Sequence, residues 1–202
     1  MKTIHISRGA VVIVSDEDFD FLSSFNWSLN PQGTTYAVRK GRKNTGEPRT
    51  VAMHREIMKA PKGVQVDHIN GNSLDNRREN LRLADVQKNA FNRGKPRVES
   101  TSRYKGVLRR KNASKWEARI KYNDKAIHLG TFATQEEGAR AYNYAATLMY
   151  GCFARLNEGV GEPPREVKES VYRKCLNMVE KRGWHPDTGV FFVAEDEVEG
   201  NE

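Results

Sequence analysis

Cysteine is scarce in this chain of 202 residues, which contains only Cys152 and Cys175. They lack both the paired spacing of a zinc site and the density of a disulfide-stapled secreted domain. The sequence also lacks a signal peptide and any hydrophobic run long enough for a membrane-spanning helix. We therefore expect a soluble protein of a reducing compartment, with a cytoplasmic location and no membrane partner.

Acidic residues are fewer than basic ones: the sequence has 26 Asp and Glu against 34 Lys and Arg, and the formal net charge is +8. The excess is uneven: residues 1–100 carry +6, residues 101–157 carry +7 and residues 158–202 carry −5. A basic balance favours a polyanionic partner over a small acidic substrate. We therefore predict that nucleic acid contacts the first two segments and not the acidic third one.

The run from Val66 to Asn92 concentrates the groups that phosphodiester hydrolysis needs. Such hydrolysis requires a base for the attacking water, a cation for the developing charge and contacts to phosphate. His68 is the one side chain of the run that titrates near neutrality, so it is the predicted general base. Asp67 and Asn89 offer hard oxygen ligands, which suit Mg²⁺ or Mn²⁺ with water in the remaining positions.

The same run predicts a small ββα unit. Residues 64–68 are typical of a short strand and residues 81–83 of its return, with a turn-rich loop between them. Asp85 is the predicted cap of a helix that continues to about Asn92.

Two asparagines have predicted places in this unit. We expect the Asn80 amide to close the loop by bonding to backbone near His68, and Asn89 to project from the helix toward Asp67. The arginines in and after the run are predicted to contact DNA: Arg77, Arg78, Arg82 and Arg93.

The order and spacing of these residues resemble the HNH endonuclease superfamily, in the Asn-ended form found among phage homing endonucleases. His68, Asn80 and Asn89 fall on the motif positions at intervals of twelve and nine residues, and Asp67 falls on the metal ligand. The resemblance implies a site-directed, metal-dependent DNA endonuclease with catalytic His68 and Asn80 and with Mg²⁺ or Mn²⁺ on Asp67 and Asn89. If it is phage-encoded, the protein acts in the cytoplasm of a bacterial host cell. Many relatives carry histidine at the position of Asn89, so weaker metal affinity is expected.

Other interpretations of the run stay open on residue chemistry alone. Asp-His followed by Asn-Gly also suits an ordinary strand end and turn, with the asparagines as loop caps. A calcium loop fits less well, because Ile69 lies where the EF-hand pattern needs Asp or Asn. A structural zinc site fails because both cysteines lie outside the run.

The residues before the motif predict a β-rich segment. Strands are expected within residues 3–14, a short helix at Asp16–Leu22, and hairpin strands at residues 36–39 and 49–53. The basic tip of this hairpin is either solvated or in contact with phosphate. His54, just after the hairpin, is either a packing residue or a group that acts in the site.

A second folded region is predicted after a basic linker at residues 93–101. Three strands are expected, at residues 104–110, 115–122 and 126–129. Thr134 and Glu137 form a capping box for a helix that ends near Tyr150. The apolar face of that helix covers one side of the sheet, and the other side is left basic and suited to a DNA groove.

Four short motifs mark this region: Tyr104-Lys105-Gly106-Val107, Lys115-Trp116-Glu117-Ala118, Leu129-Gly130-Thr131-Phe132 and Ala139-Arg140-Ala141-Tyr142. Together they resemble the plant ethylene-response-factor (Apetala-two) DNA-binding domain, which is also found joined to phage HNH nucleases. The resemblance covers residues 102–157 and implies double-stranded DNA as the partner. The predicted DNA contacts are Lys105, Arg110, Arg119 and Lys121, to which we add Arg109. Leu108 replaces a usual arginine and His128 a usual tryptophan, so the plant-type target sequence is not implied.

The predicted fold class is α+β, with four successive regions. They are an HNH endonuclease domain at residues 1–92 (β-rich, with a ββα-metal core at about 64–92), the linker at 93–101, a three-stranded antiparallel sheet packed on one helix at 102–157, and a C-terminal helix with an acidic tail at 158–202. A monomer is expected. Besides the endonuclease, two functions stay open: a sequence-specific DNA-binding regulator with a vestigial nuclease unit, and a basic protein that condenses nucleic acid without sequence preference.

Overall fold

The chain divides into two compact units, residues 1–92 and 93–202, in a computed structural model that describes residues 1–30, 35–94, 101–122 and 125–180. The predicted α+β class is confirmed. Within the described ranges, no helix is long and apolar enough to cross a bilayer. Most of the predicted linker and the acidic tail after residue 180 lie outside the described residues.

The first unit is built from short strands and three α-helices. Its strands are β1 (Lys2–His5), β2 (Val11–Val14), β3 (Ser28–Leu29), β4 (Ala37–Lys40), β5 (Thr50–Ala52), β6 (Gln65–His68), β7 (Asp75–Asn76) and β8 (Leu81–Ala84). Its helices are α1 (Asp16–Ser23), α2 (Met53–Ile57) and α3 (Val86–Asn92). The strands form three small sheets, in the orders β1-β2-β7, β3-β4-β5 and β6-β8. All pairs are antiparallel except β2 with β7, which is parallel.

A hydrophobic core holds the first unit together. Alternation along β2 buries Val12 and Val14 completely, and they pack with Leu22 of α1 and Met53 of α2, which are also fully buried. β6 and β8 lie beside this core, with Asp67 opposite Arg82 and His68 opposite Leu81. The core therefore fixes the strand that carries the candidate site.

The second unit is a three-stranded antiparallel sheet with two helices. Its strands are β9 (Val107–Leu108), β10 (Trp116–Tyr122) and β11 (Lys125–Phe132), in the order β11-β10-β9, and its helices are α4 (Gln135–Tyr150) and α5 (Arg165–Glu180). The predicted capping box of Thr134 and Glu137 is present at the start of α4. β9 is shorter than predicted, because Gly106 has a φ of +76° that a regular strand does not accommodate.

Helix α5 packs within the second unit, against α4 and β11. Val171 and Cys175 are fully buried on its inner face, and burial raises the pKa of the Cys175 thiol to about 12. Lys174 reaches the edge of the sheet, where its Nζ donates to the Leu129 carbonyl oxygen at 2.6 Å. The helix is thus an integral part of this unit, which the sequence did not decide.

Candidate active site

His68 is the last residue of β6, and only 5% of it is exposed. Asn76 Oδ1 lies 3.4 Å from its Nε2. The Tyr36 ring stacks on the imidazole at a centroid distance of 5.9 Å, and the His54 ring meets it edge-on at 5.2 Å. These contacts come from β7, the start of the β4 hairpin and α2, so three separate segments fix the orientation of one ring.

Burial makes both imidazoles of this cluster poor proton acceptors in acid. It lowers the pKa of His68 below its usual value, although the Asn76 hydrogen bond and two nearby carboxylates act in the opposite direction. It also lowers the pKa of His54 to about 3, together with the charges of His68 and Arg55. Both rings are therefore neutral near pH 7, which is the form that a general base requires.

Asp67 has a different set of partners from His68, its neighbour on the strand. Its Oδ2 accepts hydrogen bonds from Arg82 Nε at 2.8 Å and Nη2 at 2.6 Å, while Oδ1 accepts one from Asn92 Nδ2 at 3.1 Å. The same Asn92 amide donates to the carbonyl oxygens of His68 at 2.8 Å and Ile69 at 3.3 Å. Asn92 thus ties the end of α3 to the strand end that carries both candidate residues.

Asn80 closes the loop between β6 and β8. Its Oδ1 accepts from the Asn70 backbone N–H at 3.0 Å, and its Nδ2 donates to the Asp75 carbonyl oxygen at 2.7 Å. The Asn80 carbonyl oxygen in turn accepts from the Ile69 N–H at 2.9 Å. This is the predicted type of contact, an amide bonded to backbone two residues beyond His68. A catalytic role for Asn80 stays a prediction.

Asn89 lies on α3, whose start is capped as predicted by Asp85, which accepts from the Lys88 N–H at 2.7 Å. Its Nδ2 donates to Gln65 Oε1 at 2.5 Å, near the start of β6. The contact with Asp67 that we expected from Asn89 is made by Asn92. The reason is geometric: residues three apart share one helix face, and the later one reaches further along the strand. Metal binding by Asn89 stays a prediction.

Three of the arginines that are predicted to contact DNA, Arg77, Arg78 and Arg82, are engaged with carboxylates. Arg77 pairs with Asp75 at 2.8 Å and with Glu79, and these contacts raise its pKa. Arg78 reaches α1, where it pairs with Asp18 at 2.7 Å. Arg93 is exposed just beyond α3. DNA contact by these residues, and by Arg82, stays a prediction.

Glu117 organises the basic side chains on the sheet of the second unit. Its carboxylate accepts from Arg119 Nε at 2.6 Å and from Arg110 Nε at 3.1 Å, and the His128 Nε2 lies 3.3 Å away. The hydrogen bond from Arg119, followed by that from Arg110, holds the pKa of Glu117 below its usual range. Lys121 is exposed further along the same strand. One acidic residue thus orients two of the predicted DNA contacts.

Two other predicted DNA contacts pack on aromatic rings. The Arg109 guanidinium lies 5.0 Å from the centroid of the Trp116 ring. The Lys105 ammonium lies 5.9 Å from that of Tyr142, and burial, aided by Arg155, lowers the pKa of Lys105 to about 8. Lys105 is therefore partly enclosed by its own unit.

Sequence reasoning missed three polar residues that support these sites: Asn76, Asn92 and Glu117. Asn92 had a usable signal, because it lies one helical turn after Asn89. Asn76 had none, since it stands among turn-forming residues, and both its pairing with β2 and its burial are properties of the folded chain. The alternation of its strand places Glu117 on the polar face of the sheet but does not identify its partners.

Comparison with known proteins connects the first unit to one family. The model of the HNH endonuclease family matches residues 58–91, which include Asp67, His68, Asn80 and Asn89. An uncharacterized HNH endonuclease of Acanthamoeba polyphaga mimivirus is 29% identical over 157 residues, which cover 75% of this chain and 76% of the viral protein.

Plant proteins match the later part of the chain. An ethylene-responsive transcription factor of Arabidopsis thaliana is 34% identical over 119 residues, 57% of this chain and 25% of that protein. Another, from Lotus japonicus, is 42% identical over 106 residues, 52% of this chain and 38% of that protein. The chain thus spans only a minor part of these plant relatives.

Proposed function

We propose that this chain, which joins an HNH endonuclease unit to an ethylene-response-factor-type unit, is a metal-dependent DNA endonuclease whose second unit binds the target duplex. The observation that carries the proposal is the buried, neutral His68 beside Asp67, within the span that matches the HNH family. The loop that follows is closed by Asn80. Rigid support of this kind is what a base needs if it is to meet a water molecule at one fixed place.

In this proposal His68 takes the proton from the attacking water. Burial lowers its pKa, so the lone pair is available at neutral pH. Lowering the pH through that pKa protonates the ring and should slow cleavage. Asn80 orients the site by holding the loop, and the products are a 5′-phosphate and a 3′-hydroxyl.

Asp67 and Asn89 are the proposed ligands of one Mg²⁺ or Mn²⁺ ion. Their chemistry fits, because Asp67 contributes a carboxylate and Asn89 uses its nitrogen, not its oxygen, in the contact with Gln65. Asp67 Oδ1 accepts from the neutral amide of Asn92 at 3.1 Å, and a carboxylate oxygen has a further lone pair. When bound, such an ion stabilises the negative charge that develops on the phosphate and the leaving oxygen.

The second unit is proposed to place the nuclease on DNA. Arg110, Arg119 and Lys121 belong to one sheet face, and Glu117 fixes the first two in direction. Oriented guanidinium groups suit phosphate oxygens and the guanine edge in the major groove. We further propose that the enzyme is site-directed, of the homing type, and that it acts as a monomer in the cytoplasm.

An alternative is a DNA-binding regulator whose nuclease unit is inactive. The observation in its favour is the contact of Arg82 with Asp67, in which two N–H groups donate to one carboxylate oxygen, because a metal ion must share or displace this positive partner. The two functions differ in one respect: the regulator binds DNA and leaves it intact at every metal concentration.

The test is incubation of the purified chain with supercoiled and linear DNA, with Mg²⁺, with Mn²⁺ and with a chelator, followed by mapping of the ends. We expect metal-dependent cutting that His68→Ala reduces by at least about a hundredfold, with little change in binding. His5→Ala, which alters an exposed histidine of β1, is the matched control. Binding without cut product under all conditions would establish the alternative.

A further inference from the structure

Asn76 is a fully buried amide next to the proposed base. It lies in β7 and is held opposite Val14 by the parallel pairing with β2, so its backbone cannot shift independently of the core. A buried amide that left its polar atoms unpaired would be costly, and Asn76 meets this demand with two contacts. Its Nδ2 donates to the Ser73 carbonyl oxygen at 3.3 Å, and its Oδ1 lies 3.4 Å from His68 Nε2.

The chemistry of these partners determines where the protons are. A backbone carbonyl oxygen can only accept, so the nitrogen of the Asn76 amide must face Ser73. The amide oxygen then faces His68, and this oxygen also can only accept. Nε2 of His68 must therefore carry a hydrogen atom, and in the neutral imidazole the lone pair is on Nδ1.

We infer that Asn76 is a positioning residue that holds His68 in its Nε2–H tautomer and so leaves Nδ1 as the atom that accepts the proton from water. The role of Nδ1 rests on the proposed endonuclease function, whereas the tautomer itself does not. Tyr36 and His54 contribute by holding the plane of the ring, since one stacks at 22° and the other stands at 76° to it. The Asn76 amide determines which nitrogen of His68 is protonated, and the Tyr36 and His54 rings determine the direction of the imidazole.

The decisive measurement is the tautomer of His68 in the wild-type chain. Two-bond ¹H–¹⁵N correlation spectra of ¹⁵N-labelled protein distinguish Nε2–H from Nδ1–H imidazoles, and the His68 signals are identified by their loss in His68→Gln. We expect the Nε2–H form to dominate at a pH where the ring is neutral. A dominant Nδ1–H form, or an even mixture, overturns the inference. No variant of Asn76 has to fold for this result.

Two variants then connect the tautomer to catalysis. Asn76→Leu removes the acceptor at nearly constant volume, and we expect a mixed tautomer and a kcat lower by at least about a hundredfold, with KM unchanged. Asn76→Asp keeps an acceptor oxygen and should keep the Nε2–H form. Unaltered kcat and tautomer in a folded Asn76→Leu chain would contradict the inference.

Asn72→Asp is the matched control in the same loop. Asn72 Oδ1 accepts from the Leu74 N–H at 3.1 Å, and aspartate preserves that oxygen, so both tautomer and kcat should remain as in the wild type. If the wild-type chain cuts no DNA while its His68 is in the Nε2–H form, the proposed function fails and the role of Asn76 in setting the tautomer stands.

Discussion

Single residues divide into those that the sequence reveals and those that only folding reveals. His68 and Asp67 were predicted as site residues because a ring that titrates near neutrality beside a carboxylate is a chemical signal in itself. Asn76 and Asn92 were not, because asparagine is common in turns and its use depends on what lies within hydrogen-bond distance. The partner of a buried amide is a tertiary property, and a local pattern does not contain it.

His54 provides a prediction about pH and stability. Above about pH 6.5 it is neutral in the folded and unfolded states and adds no pH dependence. In the folded chain its pKa is about 3, so between pH 6.5 and pH 3 the unfolded chain binds a proton at His54 and the folded chain does not. The free energy of unfolding of the first unit should therefore fall as the pH falls, with His54 contributing up to about 1.4 kcal/mol per pH unit.

His54→Phe, which keeps a ring but does not titrate, should remove this contribution. Urea unfolding curves between pH 7 and pH 5 measure it as the difference in slope between variant and wild type. His5→Ala, which alters an exposed histidine of β1, is the control variant in the same experiment. An equal slope for His54→Phe and wild type would show that His54 is charged or accessible in the folded state.

Elements that are long enough to show a periodic pattern of apolar residues, or that begin with a capping motif, were predictable. Two-residue strands were not. The capping box predicted the start of α4, and apolar periodicity predicted a helix at about residues 165–181, where α5 spans Arg165–Glu180. Strand β7 consists of Asp75 and Asn76, which have low strand propensity, and it exists because β2 offers a free edge. The length of an element therefore decides whether it can be predicted, since a two-residue strand is stabilised by the neighbouring strand and not by its own sequence.

Gly106 provides a prediction for the turn before β9. Its φ is +76°, and a Cβ atom there would lie 2.0 Å from Tyr142 Cδ2 and 2.7 Å from the Arg119 carbonyl oxygen. Gly106→Ala should cost both backbone strain and overpacking, about 2–5 kcal/mol in the free energy of unfolding. Gly159→Ala isolates the strain, because φ there is +72° and nothing lies within 4 Å of the added Cβ. It should cost about 1 kcal/mol. Thermal unfolding compares the two, and equal losses would be evidence against the close packing at Tyr142.

Helix α5 provides a second prediction at this scale. Val171 is fully buried, so Val171→Ala removes two methyl groups from a packed interface and should lower the free energy of unfolding of the second unit by about 2 kcal/mol. Ser170→Ala introduces the same residue one position earlier, at an exposed site, and should change it by less than about 0.5 kcal/mol. Denaturant unfolding distinguishes them, and two equally small effects would mean that α5 is dispensable.

At the scale of the whole molecule, the proposed function divides the chain into a unit that cuts DNA and a unit that holds it. The order of the two regions could be predicted because each carries its own motif and a net positive charge. The attachment of α5 to the second unit could not, because an amphipathic helix does not specify which apolar surface it covers. The surface against which a helix packs depends on the complementary shape of the two surfaces, and this shape exists only in the folded chain.

The division predicts that binding and cleavage can be impaired independently. Arg110→Gln with Lys121→Gln should weaken DNA binding and reduce the slope of log affinity against log salt by up to about two, with kcat preserved at saturating DNA. Arg165→Gln with Arg173→Gln removes the same charge from exposed positions on α5 and is the control. Fluorescence anisotropy over a range of salt concentrations measures the slope. Equal losses in both double variants would indicate a general charge effect, not a binding face.

The hydrogen bond from Lys174 to the Leu129 carbonyl oxygen has a consequence beyond the native fold. β11 is an outer strand of eight residues, and bare backbone of that length is a template on which strands from other molecules can assemble. Because α5 packs along β11, it covers part of the exposed strand edge, and Lys174 places a positive charge beside that edge. Loss of the helix would therefore raise the tendency of the protein to aggregate. Helix α5 thus protects the edge of the sheet as well as forming a layer of the fold.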